Sequence, residues 1–168
     1  MSAHKPLEGV KVVELASFVA APTAGRMMAE MGADVIRVES TAGDPWRFYG
    51  ANCGLPITDE ENPLFDIYNL GKKDIQLNTK TPEGKEILFH LLDEADVFIT
   101  NNRLKSLVRS GLDYESLKDR FPKLIYGLVT GYGQTGPDVD APGYDGVAFF
   151  SRSGMLADMA EPSGYPAS

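Results

Sequence analysis

Only one cysteine, Cys53, stands among the 168 residues, so no disulfide can form within the chain. That fits a reducing, cytoplasmic setting. Cys53 sits in a stretch containing glycine and proline with no histidine close by in sequence, and reads as a bystander thiol. There are two histidines, His4 and His90, and neither belongs to a His/Cys cluster with zinc spacing. A G-x-S-x-G nucleophile elbow is missing as well. No apolar run approaches the roughly 18 residues that cross a bilayer. The opening MSAHKPLEG lacks the hydrophobic stretch of a secretory signal. Positive charge is in short supply, 16 basic against 24 acidic residues, for a net charge of −8. This argues against nucleic acid as a bulk partner while leaving room for a local basic pocket. Repeats and low-complexity tracts are absent. What is present, 43% hydrophobic and 24% charged residues, is the composition of an ordinary globular chain with one proper core.

The hydrophobic pattern alternates between two kinds of element. Gly9–Ala16 is rich in β-branched residues and predicts a buried strand. A turn from Ser17 to Pro22 leads to a helix expected over Thr23–Met31, which Gly32 stops. Ala33–Glu39 is a second strand. Strand, helix and strand within about 30 residues make a βαβ unit with parallel strands and a right-handed crossover. From Ser40 to Leu70 the pattern fails, and six glycines and prolines predict a long loop. Lys73–Asn78 is a short strand. Thr81 before Pro82 is a helix start, and the helix runs to Glu94 with Ile87, Leu88, Leu91 and Leu92 on one stripe. Ala95–Thr100 and Leu124–Val129 are strands, separated by short helices over Leu104–Ser110 and Tyr114–Arg120. A turn-rich loop and a helix over Tyr144–Arg152 follow, and the last residues, from Glu161, are unpatterned. The fold class is therefore α/β, with a mostly parallel, Rossmann-like sheet and helices on both faces.

Two motifs invite a ligand and fail on physical grounds. Gly131-Tyr132-Gly133-Gln134-Thr135-Gly136 matches G-x-G-x-x-G, but Pro137, Pro142 and Gly143 follow, so no helix opens to face a pyrophosphate. These glycines read as turn-formers. Asp138, Asp140 and Asp145 resemble a calcium loop, yet Pro142 and Phe149 occupy positions that need oxygen ligands. The stronger candidates lie where strands end, because ligands of open α/β sheets bind there. Ser17-Phe18-Val19-Ala20 follows the first strand, and Asn101-Asn102-Arg103 follows the fourth. Phe18 is suited to cover a flat ring, and Asn101 and Asn102 to hydrogen-bond it. Lys72, Lys73, Lys80, Arg103, Lys105 and Arg109 concentrate what basic charge there is, which suits a phosphorylated ligand. The alternative for each is a solvated helix face.

Taken together, PLEGVKVVEL, MGADVIRVE, NLGKKDIQLNTKTPEGKEIL, ADVFITN and YGQTGPDVDAPGYDGVAFFSRSG resemble the family III CoA transferases in order and spacing across nearly the whole chain. The last segment looks most like the branch acting on 2-hydroxyacyl or phenyllactate groups. The resemblance implies that residues 1–168 are the N-terminal part of a CoA-binding large domain. A small domain and a C-terminal return that completes the sheet would lie outside it. It implies an interlocked homodimer acting on an acyl-CoA and a carboxylic acid, with a CoA thioester as substrate and no tightly bound cofactor, no nucleic acid and no membrane. It places Phe18, Val19 and Ala20 along CoA, and Leu77 and Lys80 near the adenine and phosphates. Asn101 and Asn102 fall at the nucleotide, Arg109 opposite a phosphate, and Tyr144 near the acyl group. The family's arginine after the second strand's glutamate is replaced here by Ser40 and Thr41, leaving Arg37 or Arg47 to supply that contact. The expected nucleophile is an aspartate beyond Ser168, which would form an aspartyl anhydride and then an aspartyl-CoA thioester. Asp158 falls before that site. Two alternatives stay open. One is an α-methylacyl-CoA racemase, whose histidine base is replaced here by Tyr144, a poor base at neutral pH. The other is a CoA-binding fragment without activity.

Overall fold

The computed structural model describes residues 4–58 and 60–159, so Glu161–Ser168 lie outside the described residues. Five strands form one all-parallel sheet: β1 (Lys11–Leu15), β2 (Asp34–Glu39), β3 (Lys73–Gln76), β4 (Val97–Thr100) and β5 (Ile125–Leu128), in the spatial order β3-β2-β1-β4-β5. The register pairs Glu14 with Arg37, Arg37 with Asp74, and Leu15 with Thr100. The order reverses between β1 and β4, where the connections leave in opposite directions and open a crevice beyond the strand ends. Both sheet faces are covered, as the alternation of apolar strands and helices predicts. Val13, Leu15, Val38 and Phe98 pack with Leu88 and Leu92 of α4 (Pro82–Glu94), Leu107 of α5 (Leu104–Ser110) and Leu117 of α6 (Tyr114–Leu117). On the opposite face Val12, Val35 and Ile99 pack against Ala21 of α1 (Ala20–Glu30).

Local differences from the sequence reading have plain causes. The first helix begins at Ala20 rather than Thr23, because Pro22 falls within its first turn, where a missing N–H costs nothing. The stretch expected as a loop from Ser40 to Leu70 holds α2 (Trp46–Tyr49), a 3₁₀ turn (Gly50–Cys53) and α3 (Pro63–Asn69). The start of α3 is Asn62 before Pro63, the same cap-and-proline signature as Thr81 before Pro82. Asn62 accepts from the Phe65 N–H, and Thr81 from the Gly84 N–H. On α4 the buried stripe is Leu88 and Leu92, while Ile87 is exposed. The helix capped by Asp113 stops at Leu117, short of Arg120.

The chain divides into two compact units, one of residues 1–102 and 106–129, the other of residues 103–105 and 130–168. In the second, the helix expected over Tyr144–Arg152 is a π-helical turn (Gly146–Ser151), with the Arg152 N–H bonded to the Val147 carbonyl, followed by α7 (Met155–Asp158). A Cβ on Gly131 would lie 2.5 Å from Gly143 Cα, so these two glycines serve close backbone approach, while Gly133 and Gly136 hold positive φ in open space, as turn-formers do. The three aspartates are spoken for: Asp138 pairs with Arg152 at 2.9 Å, Asp140 with Lys105, and Asp145 accepts from the Gly146 N–H. Among the described residues no helix is long and apolar enough to cross a membrane.

One glycine measures how tightly α1 lies on the sheet. A Cβ on Gly25 would stand 1.8 Å from Glu14 Oε2, the oxygen that accepts from Lys72 Nζ at 2.8 Å. Alanine in a helix interior ordinarily adds about 1 kcal/mol over glycine. Here the sign reverses, since the methyl must displace a buried carboxylate from its partner. Gly25→Ala is expected to cost roughly 3 kcal/mol, measured as a lowered urea midpoint. An unchanged or raised midpoint would show that α1 does not press on Glu14.

Candidate functional site

Beyond the ends of β1 and β4 two connections are tied together. The Ser17 N–H donates to Asn101 Oδ1 at 3.0 Å, and Asn101 Nδ2 donates back to the Ser17 carbonyl at 2.7 Å. A side-chain amide satisfying both backbone groups of one residue works as a clamp, and it closes across the point where the strand order reverses. Asn101 is thereby engaged with the protein itself, on top of any contact its remaining hydrogen-bonding capacity makes. Asn102 follows, its N–H bonded to Thr100 Oγ1 at 3.2 Å. Phe18 stands next to the clamp with φ of 63°, the only non-glycine residue at positive φ among the described residues. Val19 caps α1 and Ala20 opens it. Phe18, Val19, Ala20, Asn101 and Asn102 are thus brought to one place.

The Phe18 turn is held from the other side by a buried ionic network, which the sequence reading did not anticipate. Arg37, on β2, is completely buried. Its guanidinium bonds to Glu39 and Asp44, and to Asp74 Oδ2 at 3.0 Å, and its Nε lies 3.5 Å from Glu14 Oε1. Arg47 bonds to Glu39 and Asp74 and lies 3.8 Å over the Phe65 ring, while Arg37 lies 4.9 Å from the same ring. Lys72 donates to Glu14 Oε2, to the Pro22 carbonyl and to Asn69 Oδ1. A signal for this network was present: Glu14, Arg37 and Glu39 interrupt strands that otherwise read as buried, and a charge in a buried strand needs a buried counter-charge.

This network corrects two sequence readings. Arg37 cannot stand in for an arginine after Glu39, because its guanidinium is buried among carboxylates, and Arg47 is committed to Glu39, Asp74 and Phe65. The basic residues are also not one ligand-facing cluster. Lys72 is buried against Glu14, Lys73 pairs with Asp34, and Lys105 pairs with Asp140. Lys80 and Arg109 are exposed. Lys80 follows β3, two strands along from β1, or roughly 10 Å at the usual strand spacing. Leu77 donates its N–H to the Glu39 carbonyl at 2.9 Å and packs on the α4 side of the core. Arg109 lies in the last turn of α5, and a Cβ on the nearby Gly111 would sit 3.6 Å from the Lys85 ammonium on α4. Tyr144 belongs to the second unit, with its carbonyl accepting from Val147 and Ala148.

An all-parallel, doubly covered sheet with a clamped turn at its switch point defines a Rossmann-like α/β domain of the kind that receives nucleotide ligands at its strand ends. The profile of the family described as CoA-transferase family III matches residues 7–168, and the chain belongs to that family. It is 51% identical over 158 residues to the cinnamoyl-CoA:phenyllactate CoA-transferase of Clostridium sporogenes, covering 94% of this chain and 38% of that protein. It is 45% identical over 161 residues to the (R)-2-hydroxy-4-methylpentanoate CoA-transferase of Clostridioides difficile, covering 96% of this chain and 40% of that one. A crystal structure of a CaiB/BaiF family protein from Brucella suis superposes with a TM-score of 0.86 at 41% identity, covering 98% of this chain and 43% of its own. The chain therefore spans about two fifths of the length of the curated relatives it matches.

Within the network two carboxyls divide their charge. Burial pushes Asp74 up, helped by its hydrogen bond to Glu39 and the Glu39 charge, to about 6. Burial also works against the Glu39 charge, but hydrogen bonds from Arg47 and Asp74 and the Arg37 charge outweigh it and hold Glu39 down at about 2. The folded state thus grips the Asp74 proton more tightly than the unfolded chain does. Its contribution to stability is complete below an ordinary value of 3.8 and is lost as pH rises through about 6. Glu39 contributes above its ordinary 4.5, and that contribution is lost as pH falls towards about 2. Asp74→Asn keeps an acceptor for the arginines and a donor for Glu39 but cannot ionise. Relative to the unsubstituted protein, the variant is expected to gain thermal stability as pH rises from 4 to 7. A stability difference that stays flat across that range would mean that Asp74 does not hold the proton.

Proposed function

We propose that the whole protein transfers CoA between an acyl-CoA and a carboxylic acid, and that the acid is a 2-hydroxy acid. The observation carrying this reading is the turn Ser17–Ala20, fastened to Asn101 at the switch point of a chain that belongs to CoA-transferase family III. The 2-hydroxy acid preference is supported by two relatives, whose names specify phenyllactate and 2-hydroxy-4-methylpentanoate. In this reading Phe18, Val19 and Ala20 lie along CoA, and Asn101 and Asn102 border the nucleotide. Leu77 and Lys80 approach the adenine and phosphates, Arg109 meets a phosphate, and Tyr144 borders the acyl group. Residues 1–168 are the N-terminal part of the CoA-binding domain, and the remaining sheet partner, the small domain and an interlocked second copy come from outside this stretch. The enzyme works in the cytoplasm.

The chemistry proposed is covalent. An aspartate carboxylate beyond Ser168 attacks the thioester carbonyl of the donor, the C–S bond breaks, and CoA leaves as thiolate from a mixed anhydride. The thiolate then attacks the aspartyl carbonyl, releasing the donor acid and leaving an aspartyl-CoA thioester. The acceptor carboxylate attacks that thioester to form a second anhydride, and the thiolate attacks its acyl carbonyl, regenerating the aspartate. Each step exchanges one acyl leaving group for another, so a difficult transfer is divided into easier ones. The residues described here bind and orient CoA and need supply no nucleophile.

Two measurements test the reading. Transfer from cinnamoyl-CoA to phenyllactate is expected from the full-length protein and not from residues 1–168, and turnover by the shorter chain would place the nucleophile within it. In calorimetric titration with CoA, Lys80→Ala and Arg109→Ala are each expected to weaken binding roughly fivefold at low salt and less at high salt, as exposed charge pairs do. No loss for either variant at low salt would remove it from the site.

A further inference from the structure

The Phe18 turn has a second fastening whose residue is not among those expected to touch CoA. The Phe18 N–H donates to both carboxylate oxygens of Asp44, at 3.2 Å to Oδ1 and 3.1 Å to Oδ2. Oδ1 also accepts the Trp46 N–H at 2.9 Å, and Oδ2 is bound by Arg37 Nη2. The Asp44 N–H in turn donates to Glu39 Oε2 at 3.0 Å. Asp44 is 2% exposed, so its charge is balanced by the protein and not by water. Phe18 meanwhile holds a left-handed backbone that a side chain of its kind rarely adopts, and such a conformation persists only where the surroundings over-determine it. Two side chains fasten one peptide of this turn from either side: Asn101 at Ser17, and Asp44 at Phe18.

We propose that Asp44 is a positioning residue for CoA, fixing the Ser17–Ala20 turn in its ligand-receiving shape through the Phe18 N–H, with Arg37 holding the Asp44 carboxylate in place. This rests on the reading of that turn as part of the CoA seat. A purely structural role would make Asp44 matter to stability alone, as other members of the network do. Asp74 provides the comparison, since it bonds to the same Arg37 and to Arg47, whereas the bonds to the Ser17–Phe18 peptide come from Asn101 and Asp44.

The experiment uses the full-length protein with Asp44→Asn and Asp74→Asn. It records CoA affinity by calorimetry, KM and kcat for cinnamoyl-CoA, and amide hydrogen exchange at Phe18. Asp44→Asn is expected to raise the CoA dissociation constant and the KM about tenfold with kcat changed far less, and to speed Phe18 exchange. Asp74→Asn is expected to leave CoA affinity within about twofold and Phe18 exchange as it was. The proposal is overturned if Asp44→Asn binds CoA normally with Phe18 still protected, or if Asp74→Asn loses as much affinity. Should Asp44→Asn not fold, exchange in the unsubstituted protein decides: Phe18 must be protected without CoA, and exchange at the rate of an open loop would overturn the proposal. Failure of the unsubstituted protein to bind CoA would instead sink the CoA reading, and the exchange comparison would still judge Asp44.

Discussion

Arg37 is the group on which the functional end of this sheet depends. A guanidinium with no exposure to water loses several kcal/mol of hydration, which only well-placed carboxylates offset. Four surround it, and they come from different parts of the chain: Glu14 from β1, Glu39 from its own strand, Asp74 from β3, and Asp44 from the loop that follows β2. Meeting the demands of one cation therefore fixes the lateral register of three strands and the path of a loop. Burial of such a set is weak support for stability, since well-packed apolar side chains would do as much. What apolar side chains lack is an acceptor oriented towards the Phe18 N–H.

The two faces of the sheet divide the work. On the α4 side the core is apolar from Val13 through Leu15 and Phe98, and it serves cohesion. On the α1 side the strands change character along their length. Val12 and Val35 are apolar, and Glu14, Arg37 and Glu39 come two or more residues later on the same face. Side chains in a strand alternate between faces, so this is a gradient on one surface, apolar at the strand starts and ionic towards the ends where ligands of open sheets bind. α1 crosses that gradient, and Gly25 is the position where it must lack a side chain to clear the Glu14 carboxylate.

Strand and helix succession was legible because β1, β2 and β4 are compact runs rich in β-branched residues, the other two strands are short segments between turn or helix signals, and each long helix has a cap or a glycine stop. The parallel sheet followed from crossover length. The segment 40–70 was not legible as structure, since its glycines and prolines dominate any window, although Asn62 before Pro63 repeats the signature that made Thr81 and Pro82 readable. The candidate site was partly legible. Phe18 and Asn101 stand out at strand ends, but their mutual arrangement depends on hydrogen bonds over 84 residues of chain between Ser17 and Asn101, which no local pattern encodes. The basic residues misled because charge in a sequence does not show its partner. Lys72 is adjacent to Lys73, yet one is buried against Glu14 and the other pairs at the surface with Asp34.

The contrast between the two fastenings of the Ser17–Phe18 peptide bears on the kind of ligand the turn can receive. From β4 comes a neutral amide, and from the β2 loop a carboxylate. A bare carboxylate behind a turn that meets a phosphorylated ligand would repel it, more strongly for being shielded from water. Arg37 removes that objection by bonding to the same carboxylate from behind. The network as a whole sets three cations, Arg37, Arg47 and Lys72, against four carboxyls, and the proton that burial keeps on Asp74 up to about pH 6 closes even that gap in acid. Asp44 can therefore act on the turn as a hydrogen-bond acceptor with its own charge met by the Arg37 guanidinium. If the turn seats CoA as proposed, a buried cation that neutralises the anchoring anion is what lets a strong acceptor stand beneath that polyanion.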